Sequence, residues 1–366
     1  MNDAASPSPL VVILIVAYNH RDDLEECLAS LLDATDDNLP TRIVVVDNAS
    51  CDGTADLVNE HFPEIDLITS NENLGFTGGN NLGWVHIAKQ YPNAPYLMLL
   101  NPDTLVKGDA QTEWLRPLVD YLEAHPRVAI AQPKILLHDP ASEAPPRFNT
   151  AGNVCHFLGF GFVSAFEEVD EGQYDEPRAI DFASGAALVV RTKLIEAFGL
   201  FDEAMFLYCE DVDLSWKMRQ MGHEAMYVPC TVVYHKHKPE KTLNQMYHLE
   251  KNRWWLLLSY YRWRTLLLIG PAWDMTELGV LIHAAMAGQF RAKCRAIGYF
   301  FKGDTIDRLM ENRQRIQARR TLSDREFMGG FQGQITFEPF NRGVLRWLGN
   351  PLMGAYWFVV RRLIRW

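Results

Sequence analysis

The sequence predicts an α/β fold with a mostly parallel central sheet flanked by helices, followed by a helical C-terminal extension. Two observations support this. Short apolar runs rich in Val, Ile and Leu alternate with amphipathic helical patterns in the first part of the chain. The charge balance then reverses, because residues 1–240 carry 15 basic and 37 acidic side chains whereas residues 241–366 carry 20 and 9. We therefore expect an α/β domain over residues 1–240 and a basic, aromatic helical extension over 241–366.

Four apolar runs have the length of buried strands, and each of the first three is followed by a helix pattern. The runs cover residues 10–17, 42–46, 65–69 and 96–100. Strands that alternate with helices form a Rossmann-like parallel sheet, and right-handed crossovers place the loops after the strands at one edge. Ligands of such sheets bind at this edge. Polar residues directly after a strand are therefore the first candidates for function.

The chain after residue 100 carries less regular patterns. Residues 128–137 are a further candidate strand, and residues 139–175 are a loop-rich insertion whose conformation the sequence does not fix. The elements expected after this insertion are a strand over 179–190 that breaks at Ser184-Gly185, helices over 191–198 and 214–221, and a strand over 227–234.

The extension is expected to lie on a membrane surface. Residues 249–269 are rich in Trp and Leu, but three arginines interrupt them, so a spanning helix is not expected there. Residues 276–301 predict one long amphipathic helix. Residues 342–366 mix aromatic residues with arginines, which is typical of a helix in the headgroup region of an anionic membrane. Packing on the α/β domain or on a second subunit is the alternative.

The cellular setting is expected to be the cytoplasm. The six cysteines are scattered without a CxxC pair, which favours reduced thiols. The first residues lack the basic and apolar regions of a signal peptide. Together with the extension, these features predict a protein that is peripheral on the inner face of the cell membrane.

Carboxylates follow two of the predicted strands. Asp103 comes after the fourth strand and two residues past Asn101, where it could bind a divalent cation that bridges to a diphosphate, or simply cap a turn. Asp47 ends the second strand and could accept hydrogen bonds from a base or a ribose. Asp52, beside it, is expected to cap the helix that follows.

Three further segments are candidates for ligand binding or catalysis. Glycines in the Gly/Asn-rich residues 71–83 allow close backbone approach to a ligand or positive φ, although this is no Walker or GxGxxG loop. Glu210, Asp211 and Asp213 begin a predicted helix, whose dipole favours ionised carboxylates; one could remove a proton, or all could be ordinary helix-start acids. His235 lies at the end of a predicted strand, where it could be a metal ligand or an ordinary surface histidine.

The motifs AYN, DNASCDGT, NLGFTGGNN, LLNPDT, SGAALVVR, GLFDEAMFLYCEDVDLSWKMRQMG and VVYHKH occur in this order over residues 10–238. In combination they resemble family-2 glycosyltransferases of the GT-A fold, and especially the rhamnosyltransferase-like branch. The resemblance implies inverting transfer of a sugar from a nucleoside-diphosphate donor to an acceptor hydroxyl, with Mg²⁺ or Mn²⁺ as cofactor.

The resemblance also implies roles for single residues. Asp103 matches the second acid of the DxD motif, Asn101 replaces the first, and His235 matches the histidine that completes the metal site. Asp211 matches the catalytic base and follows Glu210. The residues that would bind the donor are Ala17, Asn19, Asp47, Asn73, Gly75, Gly79, Asn80, Asn101 and Asp103.

The expected activity is transfer of rhamnose from dTDP-rhamnose, with UDP-hexoses as the next donors, to a glycan or a lipid-linked polysaccharide precursor. A sugar nucleotidyltransferase is one alternative, but residues 18–22 lack the Gly-rich basic loop it would need after the first strand. A non-catalytic carbohydrate-binding protein is the other, and Asp103, Asp211 and His235 argue against it. No nucleic acid partner is expected, and a homo-oligomer is left open.

Overall fold

The computed structural model describes residues 11–34, 39–107, 113–139, 144–236, 245–335, 343 and 345–366. The chain forms two compact units, and neither is continuous in sequence. The first unit comprises Met1–Gly152, Ser164–Phe206 and Glu224–Lys238. The second comprises Asn153–Val163, Leu207–His223 and Pro239–Trp366.

Within the described residues, the first unit contains a ten-stranded sheet, and the prediction of a mostly parallel sheet is confirmed. The strands of the chain are β1 (Val11–Ala17), β2 (Thr41–Asp47), β3 (Asp66–Thr69), β4 (Tyr96–Leu100), β5 (Thr104–Val106), β6 (Val128–Leu137), β7 (Phe148–Thr150), β8 (Asn153–Cys155), β9 (Gly161–Val163), β10 (Arg178–Ala179), β11 (Ala187–Arg191) and β12 (Glu224–His235). The sheet order is β10-β12-β6-β11-β4-β1-β2-β3, with β5 on β12 and β7 on β6. Strands β1 to β4 are parallel, as are β6 and β12, whereas β11 runs antiparallel between β4 and β6.

Helices pack on the faces of this sheet and bury its central strands. They are α1 (Arg21–Asp33), α2 (Thr54–His61), α3 (Gly75–Gln90), α4 (Arg116–Ala124) and α5 (Thr192–Phe198). Every residue of β1 and β4 is buried, as expected for apolar runs covered on both faces. Polar residues therefore begin only where these strands end.

The Gly/Asn-rich segment is helical from Gly75 onward, and residues 71–74 lie before the helix. Helix α3 begins at Gly75, and of the four glycines only Gly75 has a positive φ, of 71°. A Cβ on Gly79 would lie 2.6 Å from Cγ1 of Val16, and one on Gly83 would overlap Leu14. These glycines let the helix approach strand β1 closely, so packing outweighs their poor helix propensity.

The structure defines three other segments more closely than the sequence did. The strand expected over 179–190 divides at the predicted Ser184-Gly185 break into β10 and β11. The insertion contains β7, β8 and β9. Helix α6 (Glu210–Gln220) starts four residues earlier than predicted, because three of the four residues in its first turn are acids, which apolar periodicity does not detect.

The second unit is a helical assembly with the β8–β9 hairpin. Its helices are α6, α7 (Gln245–Tyr260), α8 (Trp263–Met286), α9 (Phe290–Tyr299), α10 (Gly303–Arg319), α11 (Asp324–Phe327) and α12 (Asn350–Leu363), with a π-helical turn over Leu345–Gly349. The single helix predicted over 276–301 is wrong. Helix α8 ends at Met286 and α9 begins at Phe290, because Gly288 between them has a φ of 71°, which ends a right-handed helix.

Four charged side chains join helices α7, α8 and α9, and we call them the ion cluster. They are Glu250 and Arg253 from α7, Glu277 from α8 and Lys293 from α9. Nη2 of Arg253 lies 2.7 Å from Oε2 of Glu250, and Nζ of Lys293 lies 2.5 Å from Oε2 of Glu277. Burial alone would raise the pKa of Glu277, but Arg253 and Lys293 outweigh it and lower the pKa to about 2. The ion cluster therefore holds Glu277 ionised and fixes α8 to its neighbours.

The space around two helical glycines differs, so glycine-to-alanine substitutions at them should change the stability of the fold in opposite directions. Gly79→Ala should destabilise the fold by about 1–3 kcal/mol, because the new methyl group meets the stiff side chain of Val16. Gly279→Ala in α8 is the matched control, since no atom lies within 4 Å of its added Cβ. It should stabilise by roughly 0.5–1 kcal/mol. Urea unfolding followed by circular dichroism measures both, and equal shifts would contradict this packing argument.

Candidate active site

The loops after β1 and β2 are bonded to each other. Asn19, with a φ of 56°, donates its backbone N–H to Oγ of Ser50 at 3.0 Å, and its Oδ1 accepts the backbone N–H of Cys51 at 2.8 Å. Ala17 pairs with Asp47 in the sheet, and Oδ1 of Asp47 accepts the N–H of Ser50 at 3.1 Å. The structure thus brings the predicted Ala17, Asn19 and Asp47 together at the carboxyl ends of neighbouring strands.

Asn48 organises the next part of this edge, and sequence reasoning missed it. Its Nδ2 donates to Oδ1 of Asn73 at 3.1 Å and to the carbonyl of Gly75 at 3.0 Å, while its Oδ1 accepts the N–H of Leu74 at 3.0 Å. Gly75 is required because an added Cβ would overlap Phe206. The buried amide of Asn48 therefore fixes the predicted Asn73 and Gly75 beside the end of β2. Its position directly after Asp47 was the available signal.

Two other predicted residues lie deeper in helix α3. Gly79 is buried against Val16, and Asn80 is buried with its Nδ2 donating to the carbonyl of Phe76 at 2.8 Å. The structure does not expose these two groups at the strand ends. They act here by packing the helix that presents Gly75.

Asp52 lies at the start of α2 but not at the capping position that was predicted. Gly53 occupies that position, and Oδ1 of Asp52 accepts the backbone N–H of Thr54 at 3.1 Å. Its Oδ2 accepts the backbone N–H of Arg21 at 3.0 Å. The side chain therefore joins the two strand-end loops as well as the helix.

Asp103 and His235 lie side by side although they are distant in sequence. Asp103 directly precedes β5, and Thr104 in β5 pairs with His235 at the end of β12. Nε2 of the histidine lies 3.2 Å from Oδ1 of Asp103. Its Nδ1 lies 3.2 Å from Oδ1 of Asn149 in β7. Asn149 belongs to the insertion that the sequence left undefined, so no pattern pointed to it.

The electrostatic environment keeps Asp103 ionised. Burial alone would raise its pKa, but the hydrogen bond with His235, the charge of His235 and the charge of His20 outweigh this and lower the pKa. Asn101 lies two residues earlier, with its backbone N–H donated to the carbonyl of Ala186 at 2.9 Å. His20 is a second residue of this edge that sequence reasoning did not single out.

The donor set fits a divalent cation that is only partly held by protein. A carboxylate and an imidazole nitrogen are suitable ligands, and a carbonyl oxygen such as that of Asn149 on the other ring nitrogen is the usual outer partner of a metal-bound histidine. Within the described residues no cluster of three or more His, Cys, Asp or Glu side chains suits a metal ion. A cation bound by Asp103 and His235 would therefore take its remaining ligands from diphosphate and water.

In the second unit, the backbone is strained directly before α6. Tyr208 and Cys209 have φ values of 69° and 65°, a conformation that costs free energy for residues other than glycine and is concentrated at functional sites. The buried Asn252 donates its Nδ2 to the carbonyls of Leu207 and Tyr208, at 2.9 and 2.6 Å. Asn252 lies in the predicted extension, so sequence reasoning missed this support.

The three acids at the start of α6 differ in burial. Asp213 is buried, accepts the hydroxyl of Tyr260 at 2.7 Å and lies 3.3 Å from Nζ of Lys217. Glu210 is also buried, and burial, followed by the charges of Asp211 and Asp213, raises its pKa to about 8. Asp211 alone of the three is partly exposed. At Glu210, desolvation therefore outweighs the helix dipole and favours the protonated form.

Residues 12–192 match the family model described as glycosyl transferase family 2. This α/β part of the chain is a glycosyl transferase family 2 domain. The family predicted from the motifs is thereby confirmed.

Two relatives of this glycosyltransferase are rhamnosyltransferases. The N-acetylglucosaminyl-diphospho-decaprenol L-rhamnosyltransferase of Mycobacterium tuberculosis is 28% identical over 244 residues, which cover 63% of this chain and 76% of the relative. Rhamnosyltransferase WbbL of Escherichia coli K12 is 25% identical over 229 residues, covering 62% and 83%. Among solved structures, that of GalNAc-T7 with UDP, GalNAc and Mn²⁺ has a TM-score of 0.54 at 16% identity, covering 70% of this chain and 48% of that one. This likeness agrees with the predicted GT-A fold.

The raised pKa of Glu210 predicts a pH-dependent stability. Between about pH 4.5 and pH 8 the folded glycosyltransferase keeps this proton while the unfolded chain releases it, so Glu210 makes the fold less stable as pH rises. Glu210→Gln cannot titrate. The stability of this variant relative to wild type should therefore increase across this interval, by on the order of a few kcal/mol. Urea unfolding at a series of pH values measures the difference, and a constant difference would contradict the raised pKa.

Proposed function

We propose that this glycosyltransferase inverts the anomeric configuration as it moves rhamnose from dTDP-rhamnose to a hydroxyl of a glycan or lipid-linked polysaccharide precursor. The observation that carries the proposal is the pairing of Asp103 with His235 at the end of the parallel strands of a family-2 domain. The rhamnosyltransferase names of both relatives support the donor, and the diphospho-decaprenol in one name supports a lipid-linked acceptor. UDP-hexoses are the next donors.

The nucleotide would lie along the ends of β1 and β2. The Ser50 amide holds the buried carboxylate of Asp47 where it can accept hydrogen bonds from a base N–H or a ribose hydroxyl. Ala17 and Asn19 would border the nucleotide. Asn73 and Gly75 would line the donor pocket, while Gly79 and Asn80 would support it through helix α3.

Mg²⁺ or Mn²⁺ would be held by Asp103 and His235, with the amide of Asn101 nearby in the same turn. A divalent cation there would neutralise charge that develops on the leaving diphosphate. Asn149 would fix the ring of His235 through Nδ1, so that Nε2 can coordinate. The Mn²⁺ named with the GalNAc-T7 structure supports a divalent ion for this fold.

Asp211 would be the catalytic base. Its partly exposed carboxylate lies in the first turn of α6, where the helix dipole favours the ionised form, so it can remove the proton of an acceptor hydroxyl. The hydroxyl oxygen would then attack the anomeric carbon opposite the departing diphosphate, which inverts that centre. Glu210, protonated at neutral pH, would position this turn without adding a second negative charge.

The location we propose is the inner face of the cell membrane. The extension over residues 241–366 is basic and aromatic, and a lipid-linked acceptor would itself reside in the membrane. In this proposal the α/β domain over residues 1–240 is the catalytic part of the chain.

Two isosteric variants distinguish the proposed roles of Asp211 and Glu210. Asp211→Asn should lower kcat about 100- to 10,000-fold, because general base catalysis contributes on that order. Glu210→Gln should stay within a few-fold of wild type, since the amide resembles the protonated acid. Transfer is measured with dTDP-rhamnose and with a UDP-hexose, and donor binding by thermal shift should persist in both variants. Near-normal turnover of Asp211→Asn would remove that residue from the role.

The proposed cation site predicts that Asn149 affects metal affinity although it does not itself bind the metal. Asn149→Ala should weaken Mn²⁺ binding about 10- to 100-fold, because the ring of His235 loses its partner. Asn93→Ala, at an exposed position, is the control and should bind Mn²⁺ like wild type. Thermal shift titrated with Mn²⁺ in the presence of dTDP is the measurement. Equal affinities in both variants would argue against coordination by His235.

A further inference from the structure

Helix α8 presents a continuous apolar stripe to solvent. The stripe follows one helical face over about 30 Å. Its members are Leu267, Pro271, Met275, Leu278, Ile282 and Met286. The five without the proline are 54% to 85% exposed. Such a stripe is larger than the scattered apolar side chains usual on soluble surfaces, and it indicates a binding surface.

Helix α12 extends this surface within the second unit. Its Tyr356 hydroxyl donates to the carbonyl of Leu268 at 2.5 Å, and Nε1 of Trp366 donates to Oγ1 of Thr265 at 2.9 Å. These bonds attach α12 to the first half of α8. Its own exposed apolar residues are Leu352, Phe358, Val359 and Leu363. We call the stripes of α8 and α12 together the apolar face.

Cations surround the α12 side of the apolar face. Arg362 stacks on the ring of Phe358 at 3.3 Å from its centroid, and Arg264 lies 5.7 Å from that of Trp366. Arg361 in the last turn of α12 and Arg365 just after the helix are also exposed. No acid occurs in residues 345–366, and Asp274 is the only exposed acid of α8. Pairing of two copies through this face would bring excess positive charge together, whereas anionic headgroups would neutralise it.

The inner face of α8 shows why this helix would lie on a membrane and not cross it. Among the described residues, α8 is the one helix whose length and composition would suffice to span, with a mean hydropathy of 1.3. Its Glu277, however, belongs to the ion cluster with Arg253 and Lys293. Crossing would remove Glu277 from its partners and leave uncompensated charges in both places, which is strongly unfavourable.

We propose that the apolar face inserts, parallel to the membrane plane, into the headgroup region of an anionic phospholipid bilayer. The proposal rests on the membrane location proposed above and identifies the surface responsible. It assigns the main contact to α8, a helix formed in part from residues that the sequence analysis excluded as membrane-spanning. The ion cluster keeps the opposite side of α8 attached to α7 and α9.

The test is flotation of the full chain with phosphatidylcholine vesicles that contain or lack phosphatidylglycerol. Leu267→Ser, Leu278→Ser and Ile282→Ser together should weaken binding to the anionic vesicles about 100-fold, because three exposed apolar side chains are lost. Val85→Ser with Val163→Ser is the control, since both valines are exposed elsewhere. Arg361→Gln, Arg362→Gln and Arg365→Gln together should also cost about 100-fold on anionic vesicles.

Four outcomes would overturn the proposal: no vesicle binding by wild type, wild-type binding by the serine variant, equal loss in the control, or resistance of wild type to alkaline extraction, which would indicate a spanning helix. A dimer that the serine substitutions dissociate, without vesicle binding, would assign the face to a second copy. Donor binding is measured separately by thermal shift. A chain that floats but binds no nucleotide sugar would overturn the proposed activity alone, and Asp211→Asn should float like wild type.

Discussion

The antiparallel pairing of β5 with β12 is the contact on which the candidate cation site depends. The register Thr104 to His235 places the histidine against Asp103, and the carbonyl of Asp103 accepts the N–H of Lys236 at 2.9 Å. A shift of one residue would turn the His235 ring to the opposite face of the sheet. Two residues far apart in sequence therefore meet because a three-residue strand fixes their register.

Much of the sheet edge could be predicted, because its determinants are local. The apolar runs of β1, β2 and β4 identify buried strands, and parallel order then places Asp47 and Asp103 at the same edge. The bonding partners of Asn48, Asn149 and Asn252 could not be found in this way. Each asparagine acts by bonding a segment distant in sequence, and nothing in the local pattern specifies that partner. The Gly-rich start of α3 was not predicted as helix for a related reason, since its packing on β1 overrides helix propensity.

The start of α6 shows that sequence position alone does not give the charge of a carboxylate. The three acids occupy the same helix turn and experience the same dipole, yet Glu210 is buried and has a raised pKa while Asp211 is partly exposed. The positive φ values of Tyr208 and Cys209 set the direction in which the chain enters α6. Asn252 stabilises this conformation by donating to the carbonyls of Leu207 and Tyr208. Burial, which the sequence does not reveal, distinguishes the proposed base from its neighbour.

Helix α8 illustrates the same limit for membrane prediction. Composition averages over all faces of a helix, so a single hydropathy value cannot separate a helix that crosses a bilayer from one that lies on it. The two sides of α8 differ in kind: the outer side carries Leu267 and Leu278, while the inner side carries Glu277 within the ion cluster. Because a half-buried carboxylate with two cationic partners costs far more to extract than an exposed leucine gains, the charged side determines how deeply the helix can enter the membrane.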